Sequence, residues 1–567
     1  MTAGNQRAVL AWSVPEKTVI DGKEICRAGG IKILRKTGGY PENEYDGTAV
    51  VESTTLEGTY TDTGLTNGAA YYYRAFSYSD HNVINRDPSA KGTVTPSEAS
   101  HITVTFPSVM NGETITAKKG SSTKTATVSN GSASIEVNET GIWNVCGVDV
   151  NVTVLGGSYT LDIPIFAFHY SETDSSPDSV DYPAGYSNSG YTTPFSMNLN
   201  TGVPSYGDWD PEGTHAADVK MIYPRSCMLK YNGERDYYLS EADETKKEDG
   251  TTASDVANSS YGGNAMMEWG QDGVMYWKLV SDAGNNGFTF IVSKGEVLGM
   301  KPWNHYDVNG NVTPHWYTPK YFGSSDGTRM RSISGGSNYV NNAGTTEISL
   351  AEANNQTANK IWTTEVYCDY IFVALLCCLI SKSMNTQAKF GSGRTASGNS
   401  SAIGQGTMNG KGMFFGKSNG TDGVKVFGME NFWGNLYRRV RGLINVNGSY
   451  RIKMTYDQTD GSTVDGYNTD GSGYINAGSI GTTATWVFPK HMIVRENILL
   501  AQTNGGSETT YYCDGTYLAA SGTFYAVVGG VWNDAGRAGA FCVNLSAAVS
   551  YTNATDGAAL SCKPLAA

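Results

Sequence analysis

Short runs that alternate apolar and polar residues recur along the first part of the chain, and they predict strands. AVLAW (8–12), GIKILRK (30–36), AAYYYRAFSY (69–78) and GTVTP (92–96) are separated by turn-forming residues, the pattern of a small β-sandwich over 1–98. HITVTFP (101–107), GETITAKKG (112–120), KTATVSNGSASIEV (124–137) and GIWNVCGVDVNVTVLGGSYTLDI (141–163) repeat it around Asn-Gly and Gly-Gly turns. A second, smaller sandwich is expected over 99–162. From Ile163 the texture changes to long Tyr-, Trp-, Asn- and Gly-rich connections, and 163–567 reads as one large domain with long insertions. Its main helix is expected near Glu365 to Lys382, apolar nearly all round, with Glu365 and Asp369 early and Lys382 late to suit the helix dipole. The most polar stretch, EADETKKEDGTTASD (241–255), reads as a solvated loop.

Composition narrows the function classes. The chain has 567 residues, 68 of them Gly and 35 Tyr, only 17% charged, which fits many short strands and turns better than long charged helices. A formal net charge of −13 argues against sequence-blind binding of nucleic acid, which depends on basic patches that release counterions. The nine cysteines form no CxxC pair, so reduced, mostly buried thiols are expected instead of a disulfide framework or a zinc site. The start MTAGNQRAVLAW has none of the features of a secretory leader, so synthesis in a cytoplasm is expected. IFVALLCCLI (371–380) is about half the ~20 residues that span a bilayer, so a buried helix is expected and membrane insertion is not.

Enzymatic motifs are weak. GSSDG (323–327) and GKSNG (416–420) match Gly-x-Ser-x-Gly without the strand and helix that flank a nucleophile elbow. The GKS within 416–418 has Lys411 where a phosphate loop needs an earlier Gly. His305 and His315 lack close metal-ligand spacing and read as packed or surface histidines. No catalytic residue, metal site or cofactor is therefore expected, and the chain reads as a non-enzyme.

Other segments carry resemblances. GLTNGAAYYYRA (64–75), with Leu65 six residues before Tyr71 and Trp12 on an early strand, resembles the fibronectin type III pattern; another seven-stranded sandwich would serve equally as a spacer. The 99–162 unit is similar to the immunoglobulin-like or prealbumin-like spacers of phage tail proteins. SMNTQAKFGSG (383–393), FGMENFWGNLYRRVRG (427–442) and VVGGVWNDAGRAGAFCVNL (527–545) together resemble the C-type-lectin-like fold of phage tail receptor-binding proteins and of the variable proteins of diversity-generating retroelements. More distantly they resemble formylglycine-generating enzymes, whose cysteine chemistry has no match in the surroundings of Cys513, Cys542 and Cys562. The fold class expected is mainly β with an α+β C-terminal domain. Without the family, Gly428 and Gly434 suit tight turns, Glu430 and Asn431 can satisfy loop amides, and Trp433 needs a partner for its N–H. Gly529 and Gly530 would let a strand pass close to other backbone, with Trp532 in the core.

Trp532-Asn533-Asp534 raises the question of a calcium-dependent sugar site, which needs about six to eight oxygen ligands. The partner loop of such lectins is absent, and the near match Pro41 to Asn43 lies in the first sandwich, so no calcium site is expected. The resemblance implies instead a ligand-binding surface at this end of the chain. Its candidates are Tyr517, Tyr525, Asn533, Asp534, Arg537, Phe541, Asn544, Tyr551 and Asn553, types that give contact area and adaptable hydrogen bonds. An ordinary loop residue is the alternative for each. GAALSC has Ala559 where the family often has a Gly-Arg pair, which leaves the last strand's packing open. The resemblance thus implies a receptor-binding protein of a phage tail tip or fibre, located in the virion, with a bacterial cell-surface glycan or protein and other tail proteins as partners. Tail tips of this kind are commonly homotrimers. The alternative is an adhesin or a retroelement-diversified variable protein displayed by a cell.

Overall fold

The alternating runs become strands whose apolar side chains face inward. A computed structural model describes residues 1–567 except 87, 285, 359, 454–473, 482–484, 496 and 567. The chain divides into two compact units, one of Met1–Phe106 with Met110–Asp162, the other of Pro107–Val109 with Ile163–Ala567.

In the first unit, Thr2–Gly4, Arg7–Ser13 and Glu57–Thr63 form one antiparallel sheet. Lys17–Ile20, Lys23–Thr37, Tyr71–Ser79 and Lys91–Val94 form a second, and Thr48–Ser53 also pairs with Lys23–Thr37. Ala8, Leu10, Ile31, Ile33, Val51, Leu65, Tyr73 and Val94 are buried together. Trp12 packs at the edge of this cluster. The Tyr71 hydroxyl accepts from the Thr66 N–H at 3.0 Å, as in a tyrosine corner. Tyr73 goes inside, and its hydroxyl donates to Asp62, which also takes the Arg35 guanidinium at 2.7 Å. Residues 100–162 form two further sheets. Ser100–Thr105 pairs with Ser132–Val137 and, in parallel, with Ser158–Asp162. Ser122–Thr127, Thr114–Lys119, Gly141–Val145 and Val148–Val152 follow in that order. Trp143 is fully buried, with its N–H on the Glu139 carbonyl.

The second unit is built around the apolar helix, which runs from Tyr367 to Ser381 with all fifteen residues buried. A helix with no polar face is stable only when surrounded. Phe372 meets Trp269, Trp277, Phe290 and Trp316, with the Trp269 and Trp316 rings stacked at 5.1 Å. Asp369 meets the Lys563 ammonium at 3.1 Å and the Asn304 amide at 2.8 Å. A six-stranded sheet runs in the order Arg235–Tyr238, Arg225–Lys230, Gly263–Trp269, Trp316–Pro319, Leu560–Cys562, Trp362–Thr364. A seven-stranded sheet includes Tyr437–Val446, Thr523–Val528, Val543–Ala547 and Thr516–Leu518 in that order, with Asp556–Ala558 parallel to Tyr437–Val446. Ala559 is buried between Asp556–Ala558 and the last strand, Leu560–Cys562, which pairs with Trp316–Pro319 and Trp362–Thr364. The molecule is mainly β, and all nine cysteines are free thiols, seven of them buried.

One loop departs from the sequence reading. The stretch 241–255 is not simply solvated, because Glu244 is 1% exposed. Its carboxylate meets the buried Lys320 ammonium at 2.9 Å, the buried Lys425 ammonium, and the Gly410 N–H. Although burial alone would raise it, the two lysines hold this carboxyl down at about 2, while burial and Lys320 lower Lys425 to about 8. The partners lie 76 and 181 residues away in sequence, which is why local polarity misleads here.

Candidate functional site

Two of the signature segments form one frame. Gly529 N–H donates to the Cys542 carbonyl, and Gly434 N–H donates to the Gly529 carbonyl at 2.9 Å. Gly529 and Gly530 both have positive φ, +87° and +83°. A Cβ on Gly530 would lie 2.6 Å from that of Ala538, so the close approach expected of this pair is present. Glu430 accepts from the N–H groups of Gly406 and Met408, and Trp433 donates to the Gly391 carbonyl. His305 is packed, with Nε2 accepting from the Met275 N–H and Nδ1 against the Thr313 carbonyl, and burial lowers its pKa to about 3.

On this frame the 532–540 loop is only partly exposed. Trp532 is half-buried at the edge of a cluster with Tyr437, Val527 and Val531, not fully in the core, and its carbonyl accepts from the Asn399 amide. Asn533 is exposed, whereas Asp534 is 6% exposed. Asp534 accepts from the Tyr437 hydroxyl at 2.5 Å, the Val531 N–H at 3.1 Å and Arg537 Nη2 at 2.7 Å. With both oxygens engaged, it works as an internal tether for the loop.

Apart from the exposed Asn533, the candidates separate into three sets. Tyr525 and Phe541 are buried, at 1% and 4% exposure, and with Asp534 they leave the contact surface. Thr523–Val528 lies inside the seven-stranded sheet with neighbours on both sides, and the Tyr525 hydroxyl takes the Arg439 Nε–H. Phe541 packs against Tyr512, with its N–H on Asp514. Tyr551 and Asn553 form a second set, joined by the Asn553 amide donating to the Tyr551 hydroxyl at 2.8 Å. Arg439 reaches the Tyr551 carbonyl from below, and Tyr551 is 45% exposed.

The third set is a continuous platform. Thr516–Leu518 and Val543–Ala547 are parallel neighbours in which Tyr517 is the register partner of Asn544. Both strands bury alternate residues, which leaves Tyr517, Asn544 and Ser546 half-buried on the outward face. Val487 bridges to Thr516, and this places Trp486 beside Tyr517 with their rings edge-on at 5.8 Å. The Arg537 guanidinium lies 5.1 Å from the Trp486 ring centre. A Cβ on Gly515 would lie 2.9 Å from the Trp486 ring and 3.2 Å from the Arg537 Cβ, so the bare backbone there makes room for the stack. Asn544 Oδ1 takes the Ser546 N–H and hydroxyl, and its amide N–H groups have no intramolecular partner among the described residues. Sequence reasoning missed Trp486, because only the Val487–Thr516 pairing brings it to Tyr517.

No family model matches the chain, and no curated protein matches it. Among solved structures the chain is similar to one described as "Major Tropism Determinant U1 Variant", at 12% identity and a TM-score of 0.21, over 80% of this chain and 86% of that one.

Proposed function

We propose that this protein is a non-enzymatic receptor-binding protein of a phage tail tip or fibre, and that its C-terminal unit holds a bacterial surface ligand on the platform of Trp486, Tyr517, Arg537 and Asn544. The single observation that carries the reading is the division of labour at 515–546. Asp534 is turned inward as a tether, while a Trp-Arg-Tyr stack and an amide with free donors are held outward on paired strands. Ordered aromatic and guanidinium groups supply contact area with little entropy left to lose on binding. The three signature segments favour the tail protein over other binding modules. No cofactor enters the reading.

The test is retention of bacterial cell-envelope fractions by the full chain, compared with a Tyr517→Ala, Asn544→Ala double variant. Loss of retention at an unchanged unfolding midpoint is expected. Equal retention, or consumption of the ligand, would remove the proposal.

A further inference from the structure

A second concave site lies in the same unit and shares no residue with the platform. Its cavity is about 730 Å³, inside the range usual for small-ligand sites. Four separate stretches of chain build it: 206–225, Glu241, 271–272 and Met413. The Tyr206 and Tyr223 rings, 6.5 Å apart, and the buried Met413 give it an apolar wall. Tyr206 is fixed from behind by Phe195 and Phe414, and the Tyr223 hydroxyl is spent on the Trp209 carbonyl. The Tyr206 hydroxyl has no intramolecular partner among the described residues.

Around that wall the polar groups have both signs. Lys220 stands at the rim on an exposed pair with Glu212. Arg225 is held in place by the Tyr238 ring at 3.6 Å and by Glu248, so its fork is positioned before any ligand arrives. Glu241 is an exposed residue that lines the cleft, and desolvation raises the pKa of its carboxyl. Burial, with the nearby charges of Glu241 and Asp210, pushes the Tyr206 hydroxyl up to about 12, so at neutral pH it remains both donor and acceptor.

We infer that this cleft binds a neutral oligosaccharide of about three rings, laid against Tyr206, Tyr223 and Met413 with its hydroxyls on Tyr206, Arg225 and Glu241. The balance of signs disfavours strongly charged ligands, whereas a sugar hydroxyl both donates and accepts and can use a cation fork, a carboxylate and a phenol at once. The apolar wall suits the C–H face of a sugar ring. This inference does not depend on the reading of the platform.

It is tested on the full chain by saturation-transfer NMR and calorimetry with chitotriose, cellotriose and maltotriose. Saturable binding of at least one is expected. Tyr206→Phe, which removes only the hydroxyl, should weaken it about three- to tenfold, and Glu241→Gln about tenfold or more. Arg537→Ala on the platform should leave it unchanged, which separates the two sites. Both cleft substitutions are conservative, and an unaltered unfolding midpoint establishes that the fold survives. Absence of saturable binding to all three sugars, equal affinity in both cleft variants, or cleavage of the bound sugar would overturn the inference.

Discussion

Asn533 and Asp534 are neighbours in sequence with opposite environments. Asp534→Ala removes the acceptor of a buried tyrosine hydroxyl, a backbone amide and an arginine, and should cost about 2–4 kcal/mol in denaturant unfolding. Asn533→Ala should stay within about 0.5 kcal/mol. Asp534's role was not legible in its surroundings, since Tyr437 stands 97 residues earlier. Asp514 gives the residue scale a pH signature. It is 1% exposed, accepts the Phe541 N–H, and burial raises its pKa well above the ordinary value. Between about 3.9, its unfolded value, and the raised folded value, the native state holds a proton that the unfolded state has lost. The contribution is therefore fully present below about pH 4 and declines as pH rises through the folded value. Asp514→Asn should flatten that slope, so its stability relative to the parent grows from pH 4 to pH 8 in thermal melts.

At the scale of elements, the central helix was the most legible part. Ten consecutive apolar residues between acidic and basic ends describe a helix with neighbours on every side, and Tyr367–Ser381 is that helix. Leu376→Ala in its middle should cost about 2–5 kcal/mol in equilibrium unfolding, since no solvent face exists toward which the cavity could relax. The strand Thr523–Val528 was less legible. A strand central in its sheet and covered on both faces loses the alternation that tells inside from outside, and so Tyr525 looked available. The loop 241–255 failed for a different reason, since its anchoring carboxylate is chemically ordinary and only its distant lysines make it structural. Glu244→Ala strands two buried ammonium groups. It should cost about 3–5 kcal/mol and open the loop to trypsin at Lys246 and Lys247, read by limited proteolysis.

On the scale of the whole molecule, the second unit contains its own core, and residues 163–567 expressed alone should unfold in one cooperative transition followed by circular dichroism. It carries seven of the nine cysteines, all of them free and buried, so millimolar dithiothreitol should leave that transition where it is. The general architecture was legible because period-two patterning and turn chemistry are local. Of the platform, Tyr517, Arg537 and Asn544 were among the candidates, but their juxtaposition with one another and with Trp486 was not legible, because it is assembled by strand pairing between 486–487, 516–518 and 543–547. The alternation along Thr516–Leu518 and Val543–Ala547 has one more consequence. Odd and even positions answer to different demands, so substitutions at Tyr517, Asn544 and Ser546 can accumulate without eroding the scaffold beneath, and the outward chemistry can diverge over an inherited architecture.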